Sequence, residues 1–195
     1  MEKPNIQQLP AWARPLYEYV PGDEREAREQ AIILDLIAKE GEKILTRDCE
    51  FTHMTASSII VNPDRTKTLM AFHKIYNSWA WTGGHADGEI DFEAIARREA
   101  QEETGITGLR LLRGGIASME ILPVWAHVKR GKWVASHLHL NVSYLFEADD
   151  TLPLRIAQDE NSAVGWVEIA QLESKVSEPP MIPIYQRLLK RANDC

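Results

Sequence analysis

Three glutamates in the segment GGHADGEIDFEAIARREAQEETGI, residues 83–106, could do chemistry together. Glu99, Glu102 and Glu103 fall in the last turns of a predicted helix, where neighbours three and four apart share a face. Like charges at those separations repel, and a helix C-terminus is itself negative; each effect costs a few tenths of a kcal/mol to about 1 on an exposed helix. Arg98 can relieve Glu102, but no Lys or Arg stands four residues after any of the three. A solvated, Glu-rich surface would tolerate such a cluster, whereas a bound divalent cation would explain it. Mg²⁺ in particular is held by one or two carboxylates together with waters and substrate phosphates.

The helix that must position these acids has clear limits. Asp91 is a good N-cap, with Ile90 and Ile95 at the staple positions, so the helix is expected to start at Phe92 and to stop at Gly105. Its stripe Phe92, Ile95, Ala96 continues into Glu99 and Glu103, with Glu102 at the edge. Upstream, ASSIIVN and TLMAFHK are β-rich runs joined by the turn NPDRTK, a predicted hairpin. Downstream, GLRLLRGGIASMEIL reads as a strand region. VASHLHLNVSYLFEA alternates, with Leu138, Leu140, Val142, Tyr144 and Phe146 on a greasy face and His137, His139, Asn141 and Ser143 on a polar one. GWVEI reads as a short strand, AQLES as a brief helix and IPIYQRLLKRA as an amphipathic closing helix. Residues 1–22 contain four of the ten prolines and read as an irregular arm, followed by a helix over residues 23–39. Strands and helices mix without strict βαβ alternation, which favours a mixed sheet covered by helices.

The segment resembles the Nudix box, G-x5-E-x7-R-E-U-x-E-E-x-G-U with U apolar. Gly84, Arg98, Glu99, Ala100, Glu102, Glu103, Gly105 and Ile106 are in register, while Ile90 stands where the pattern has its first Glu and Glu89 comes one residue early. The resemblance extends more loosely over about residues 51–172. It implies an α/β fold, a Nudix-like α/β/α sandwich with a central mixed sheet, here with an N-terminal helical extension: residues 1–50 as arm and helix, 51–195 as the hydrolase domain. It implies hydrolysis of a phosphoanhydride in a nucleoside diphosphate linked to another moiety. Glu99, Glu102, Glu103 and the Gly83 carbonyl would then hold Mg²⁺ or Mn²⁺, with Arg98 orienting the carboxylates. In this family the first Glu of the box mainly supports its loop, a role that falls here to Glu89 or Asp91. Candidate catalytic residues are Glu103, with Glu102 beside it, and Glu160 in a later loop. His85, His137 and His139 are candidate substrate contacts, on a strand that in this fold borders the pocket; half-buried, hydrogen-bonded histidines are the competing reading. Any of Trp79, Trp81, Trp125 and Trp133 could stack on a base, though packing is the simpler use for them.

Composition narrows the field. The chain has 195 residues, 44% hydrophobic, enough for a real core. With 29 acidic and 22 basic residues, a net charge of −7 argues against nucleic acid or an anionic membrane as a default partner. Cys49 and Cys195 alone provide no disulfide framework, and with no apolar run of spanning length and no signal peptide the expectation is a cytoplasmic protein acting on a small phosphoanhydride. The arm and first helix could either swap between subunits of a homodimer or cap the sheet. A second activity on the same fold, isopentenyl diphosphate isomerisation, uses a cysteine close to the box, and NSWAWTGGH has none. A non-catalytic nucleotide-binding sensor would have lost the carboxylates or gained a DNA-binding module.

Overall fold

The computed structural model describes residues 2–74, 77–129, 131–157 and 161–195. Their helices are α1 (Arg14–Glu18), α2 (Glu24–Glu40), α3 (Phe92–Thr104), α4 (Leu172–Lys175) and α5 (Ile182–Asn193). Their strands are β1 (Thr52–Val61), β2 (Lys67–His73), β3 (Ser78–Ala80), β4 (Thr82–His85), β5 (Arg110–Leu111), β6 (Ser118–Val124), β7 (His127–Lys129), β8 (Lys132–Val134), β9 (His137–Glu147) and β10 (Asn161–Glu168). The larger sheet has the order β10-β2-β1-β9-β5, with β3 also on β2, β4 on β1 and β6 on β9; β7 and β8 form a separate ribbon. The fold is mixed α/β.

Contacts divide the chain into two compact units. The first comprises residues 1–56, 85–92 and 118–142. Its α2 starts at Asp23, whose side chain accepts from the Glu26 N–H at 2.8 Å, and stops at Gly41, whose φ of 60° is easy only for glycine. The helix buries Ile33, Leu34 and Ile37 completely. It also buries Glu26, whose carboxylate accepts from Tyr19 Oη at 2.8 Å, Gly22 N at 2.6 Å, Ser118 Oγ at 2.7 Å and Met119 N at 3.2 Å. Glu29 adds a bond from Ile121 N at 3.0 Å, so α2 is tied to β6 through carboxylates that meet backbone donors. The arm expected to be irregular carries 3₁₀ turns at Ile6–Gln8 and Ala11–Ala13 and the short helix α1, with Leu16 buried. Gln30 Nε2 holds the carbonyls of Leu16 and Tyr19, each at 2.8 Å, which shapes proline-rich chain that has few backbone partners of its own.

The second unit comprises residues 57–84, 93–117 and 143–195. The predicted hairpin is present: β1 and β2 pair antiparallel with Ile60 opposite Leu69, and Asn62 caps the turn by accepting from Thr66 N and Lys67 N. On the other edge of β2, β10 pairs antiparallel from Asn161 to Glu168, beginning four residues before the GWVEI run. Two further expectations are corrected. The strand region after α3 breaks into β5 and β6 around the glycine pair Gly114 and Gly115, the latter at a φ of 137°. The supposedly polar face of β9 is not solvated: Asn141 is 1% and Ser143 0% exposed, while Leu138 on the greasy face is 39% exposed. From Leu140 to Phe146 the residues of both faces of β9 are buried, so alternation loses its meaning there as an in/out signal.

Candidate active site

The sequence gives α3 its stripe, and the fold buries it: Ile95, Ala96 and Ala100 are fully buried. Glu103, one turn on, is 9% exposed, the Glu99 side chain 22% and the Glu102 side chain 63%. The expected edge position of Glu102 is thus its position in the structure. Ile90 is 54% exposed, so its burial contributes little to fixing the helix start, contrary to a strong staple. At the other end Gly105 adopts a φ of 72°, and a Cβ there would sit 3.0 Å from the Arg155 backbone nitrogen, which itself donates to the Thr104 carbonyl at 2.7 Å. Glycine is required because a neighbouring strand of backbone closes over the helix end to satisfy its free carbonyl.

Two contacts bring the acids to the glycines of β4. Gly84 lacks a side chain, and the Glu99 carboxylate occupies the space one would fill, with Oε2 at 2.6 Å from an ideal Cβ. Glu103 Oε1 accepts from Gly83 N at 2.9 Å, and its Oε2 accepts from Asn161 Nδ2 at 2.8 Å. Arg98 stands at the outer limit of ion pairing with both neighbours, 3.9 Å from Glu99 and 4.0 Å from Glu102. Two neutral donors, a backbone N–H and an amide, are in close contact with Glu103. The oxygen-only donor set of Glu99, Glu102 and Glu103 on one face, beside a glycine backbone, fits a hard divalent cation. Asn161 is a residue the sequence reading passed over; it follows Glu160, which lies outside the described residues.

Asp87 also helps to organise the loop before α3. Asp87, at a φ of 45°, takes Arg47 in a two-pronged pair, Nε to Oδ1 at 2.8 Å and Nη2 to Oδ2 at 2.5 Å, and its carboxyl is held below the usual range first by that hydrogen bond. Glu89, half-buried, is fixed through its backbone N–H on the Ala86 carbonyl at 2.9 Å. Both side chains of the Arg47–Asp87 pair are about half exposed, so the pair is worth roughly 0–1 kcal/mol and shapes the loop more than it stabilises the fold.

The three candidate substrate histidines are brought together, and a fourth joins them. His53, His85, His137 and His139 have ring centroids 4.9–5.2 Å apart in the five close pairs. His53 is 5% exposed; its Nδ1 meets the Cys49 carbonyl at 3.2 Å, and its Nε2 is buried without a partner. An orphaned buried acceptor costs about 1–3 kcal/mol. Burial pushes the His139 imidazole down to about 2, helped by the charges that His85, His53, His137 and Arg47 would bring, and burial also lowers His53. Of the tryptophans, Trp79 meets Phe72 edge-on and Trp81 meets Tyr185, while Trp125 and Trp133 are 76% and 71% exposed.

Comparison with known proteins adds the family context. A profile of the NUDIX domain matches residues 52–188. Among solved structures, a binary complex of the C. elegans Ap4A hydrolase is similar with 17% identity and a TM-score of 0.55, over 73% of this chain and 98% of that one. A Nudix hydrolase from M. smegmatis, RenU, is similar with 15% identity and a TM-score of 0.50, over 74% and 87%. Likeness at such identities is likeness of fold. Comparison with curated proteins finds no match.

Proposed function

Since the chain belongs to the Nudix family, we propose that it hydrolyses a phosphoanhydride bond in a nucleoside diphosphate linked to another moiety, with Glu99, Glu102, Glu103 and the Gly83 carbonyl holding Mg²⁺ or Mn²⁺. One observation carries the reading: the Glu99 carboxylate fills the space that the missing side chain of Gly84 leaves. A glycine used in this way presses a carboxylate onto backbone, which suits an all-oxygen site better than a solvated surface helix. When bound, the divalent ion supplies charge neutralisation at the bridging phosphates and acidifies a water.

The chain's own residues divide the remaining work. Gly83 N–H and Asn161 Nδ2 lock the Glu103 rotamer, so that its carboxylate keeps one direction. Glu102 is the most exposed and least constrained of the three. As water attacks phosphorus and the anhydride P–O bond breaks, a proton must leave that water; Glu103, Glu102 and Glu160 are the carboxylates proposed to receive it. Arg98 is a positioning residue for Glu99 and Glu102.

The test is incubation with Mg²⁺ or Mn²⁺ and a panel of dinucleoside polyphosphates, including Ap4A because a relative of this fold hydrolyses it, nucleotide sugars and nucleoside triphosphates. The expected result is release of a nucleoside monophosphate or phosphate from at least one of them. Release no greater than from the Glu102→Gln/Glu103→Gln chain would leave a binding domain without hydrolase activity.

A further inference from the structure

We propose that His53, His85, His137 and His139 form a four-imidazole site for a divalent transition-metal ion of the zinc class. One ring nitrogen from each lies within 4.8 Å of the others. A tetrahedral ion bound at about 2.0–2.1 Å sets its ligand nitrogens roughly 3.3 Å apart. His137 Nε2 and His139 Nε2 already stand 3.2 Å apart in a hydrogen bond whose proton an ion would displace, and the wider pairs leave room for an ion to draw the rings inward.

The orientation of the rings supports a metal more than a substrate. Metal-binding histidines donate their second ring N–H to a carbonyl or carboxylate, which fixes the tautomer with a bare nitrogen toward the ion. His53 Nδ1 meets the Cys49 carbonyl at 3.2 Å and His137 Nδ1 meets the Ala135 carbonyl at 2.9 Å, so each directs Nε2 into the cluster. The His53 Nε2 is buried without a hydrogen-bond partner. Among the described residues the group contains no carboxylate and no thiolate. Imidazole suits zinc, copper and nickel, whereas Mg²⁺ and Ca²⁺ take oxygen, so this site and the carboxylates of α3 select different ions.

Four protein ligands complete a tetrahedral shell and leave no open position, which makes the role structural. The ion would tie the start of β1, the end of β4 and the start of β9 together. HLH places two rings on one face of a strand by its period of two, and His53 joins them only through the fold. The arrangement thereby reassigns His85, His137 and His139 from substrate to metal.

The full chain, stripped with chelator and dialysed, is titrated with Co²⁺ and followed by visible absorption. We expect one equivalent to produce the intense d–d bands of a tetrahedral ion, quenched by Zn²⁺ and untouched by excess Mg²⁺. Outer-shell changes alone cost roughly 10–100-fold in metal affinity; His137→Gln/His139→Gln should lose at least that much, while Glu102→Gln leaves the spectrum unchanged. A folded double variant with unaltered Co²⁺ binding overturns the proposal. Should the variant fail to fold, X-ray absorption of the Zn²⁺-loaded wild-type chain decides: three or four imidazoles support the site, and an all-oxygen shell or sub-stoichiometric zinc refutes it.

Discussion

Glu103 and Gly83, twenty residues apart in sequence, meet through a 2.9 Å hydrogen bond from backbone nitrogen to carboxylate, while the other carboxylate oxygen accepts from Asn161 at 2.8 Å. A carboxylate serves two donors at once; an amide cannot. Glu103→Gln can satisfy Gly83 but sets its NH₂ against Asn161 Nδ2, and turning the Asn161 amide over to offer its unpartnered Oδ1 takes Nδ2 away from its acceptor. The expected loss is about 1–3 kcal/mol in stability and about 10²–10⁴-fold in turnover. Adding Asn161→Asp restores the match, so a double-mutant cycle in urea should recover stability while turnover stays low. Recovery of turnover as well would make Glu103 a structural post.

Gly84→Ala tests the cradle under Glu99. The new methyl and the carboxylate cannot share the space, and the side chain, being the more flexible partner, should move. The expected outcome is a small shift in Tm and a rise in the half-saturating Mg²⁺ concentration of about tenfold, equivalent to ~1.4 kcal/mol. An unchanged Mg²⁺ requirement would argue that Glu99 is not a ligand.

Glu26 is fully buried and serves four donors from Tyr19, Gly22, Ser118 and Met119. Truncating it removes an acceptor from Tyr19 Oη, Gly22 N and Met119 N, at about 1–3 kcal/mol for each that water cannot reach, while Ser118 Oγ retains the Glu120 carboxylate. Glu26→Ala should therefore destabilise the chain by more than about 3 kcal/mol in urea melts, and Glu26→Gln by less, because one oxygen is retained. A loss below about 0.5 kcal/mol, the range of ordinary surface changes, would mean that the first forty residues are a dispensable attachment.

The hydrogen bond from Arg110, then the bond and charge of Arg65, hold the Glu147 carboxyl below its usual value of 4.5. A carboxyl depressed in the folded state contributes stability that is present above the unfolded value and is lost as pH falls through the folded one. The wild-type Tm should therefore decline below about pH 4.5, and the difference between wild type and Glu147→Gln should shrink as the pH is lowered. A difference that is constant from about pH 6 to 3 would show that the Arg pairs contribute nothing through ionisation.

What could be read without the fold was local. Asp91, the Phe92–Ala96 stripe and Gly105 define α3 within a few turns, and the NPDRTK turn defines the β1–β2 hairpin, because caps, periods and turn chemistry act between near neighbours in the chain. The family followed from the spacing REAQEETGI, a pattern set by one face of one helix. Fold-level facts escaped where they depended on distant chain. Nothing beside Asn161 marks it as the partner of Glu103, nor Arg47 as the partner of Asp87 forty residues on, and burial of both faces of β9 depends on chain that packs above and below the strand. Isolated in its strand, His53 carries no motif at all. The sequence by itself determined which residue types stand on which faces, through propensities and periods of two and 3.6. Only the tertiary structure decided which of those faces meet, because that choice rests on hydrogen bonds and buried area shared between segments far apart in the chain.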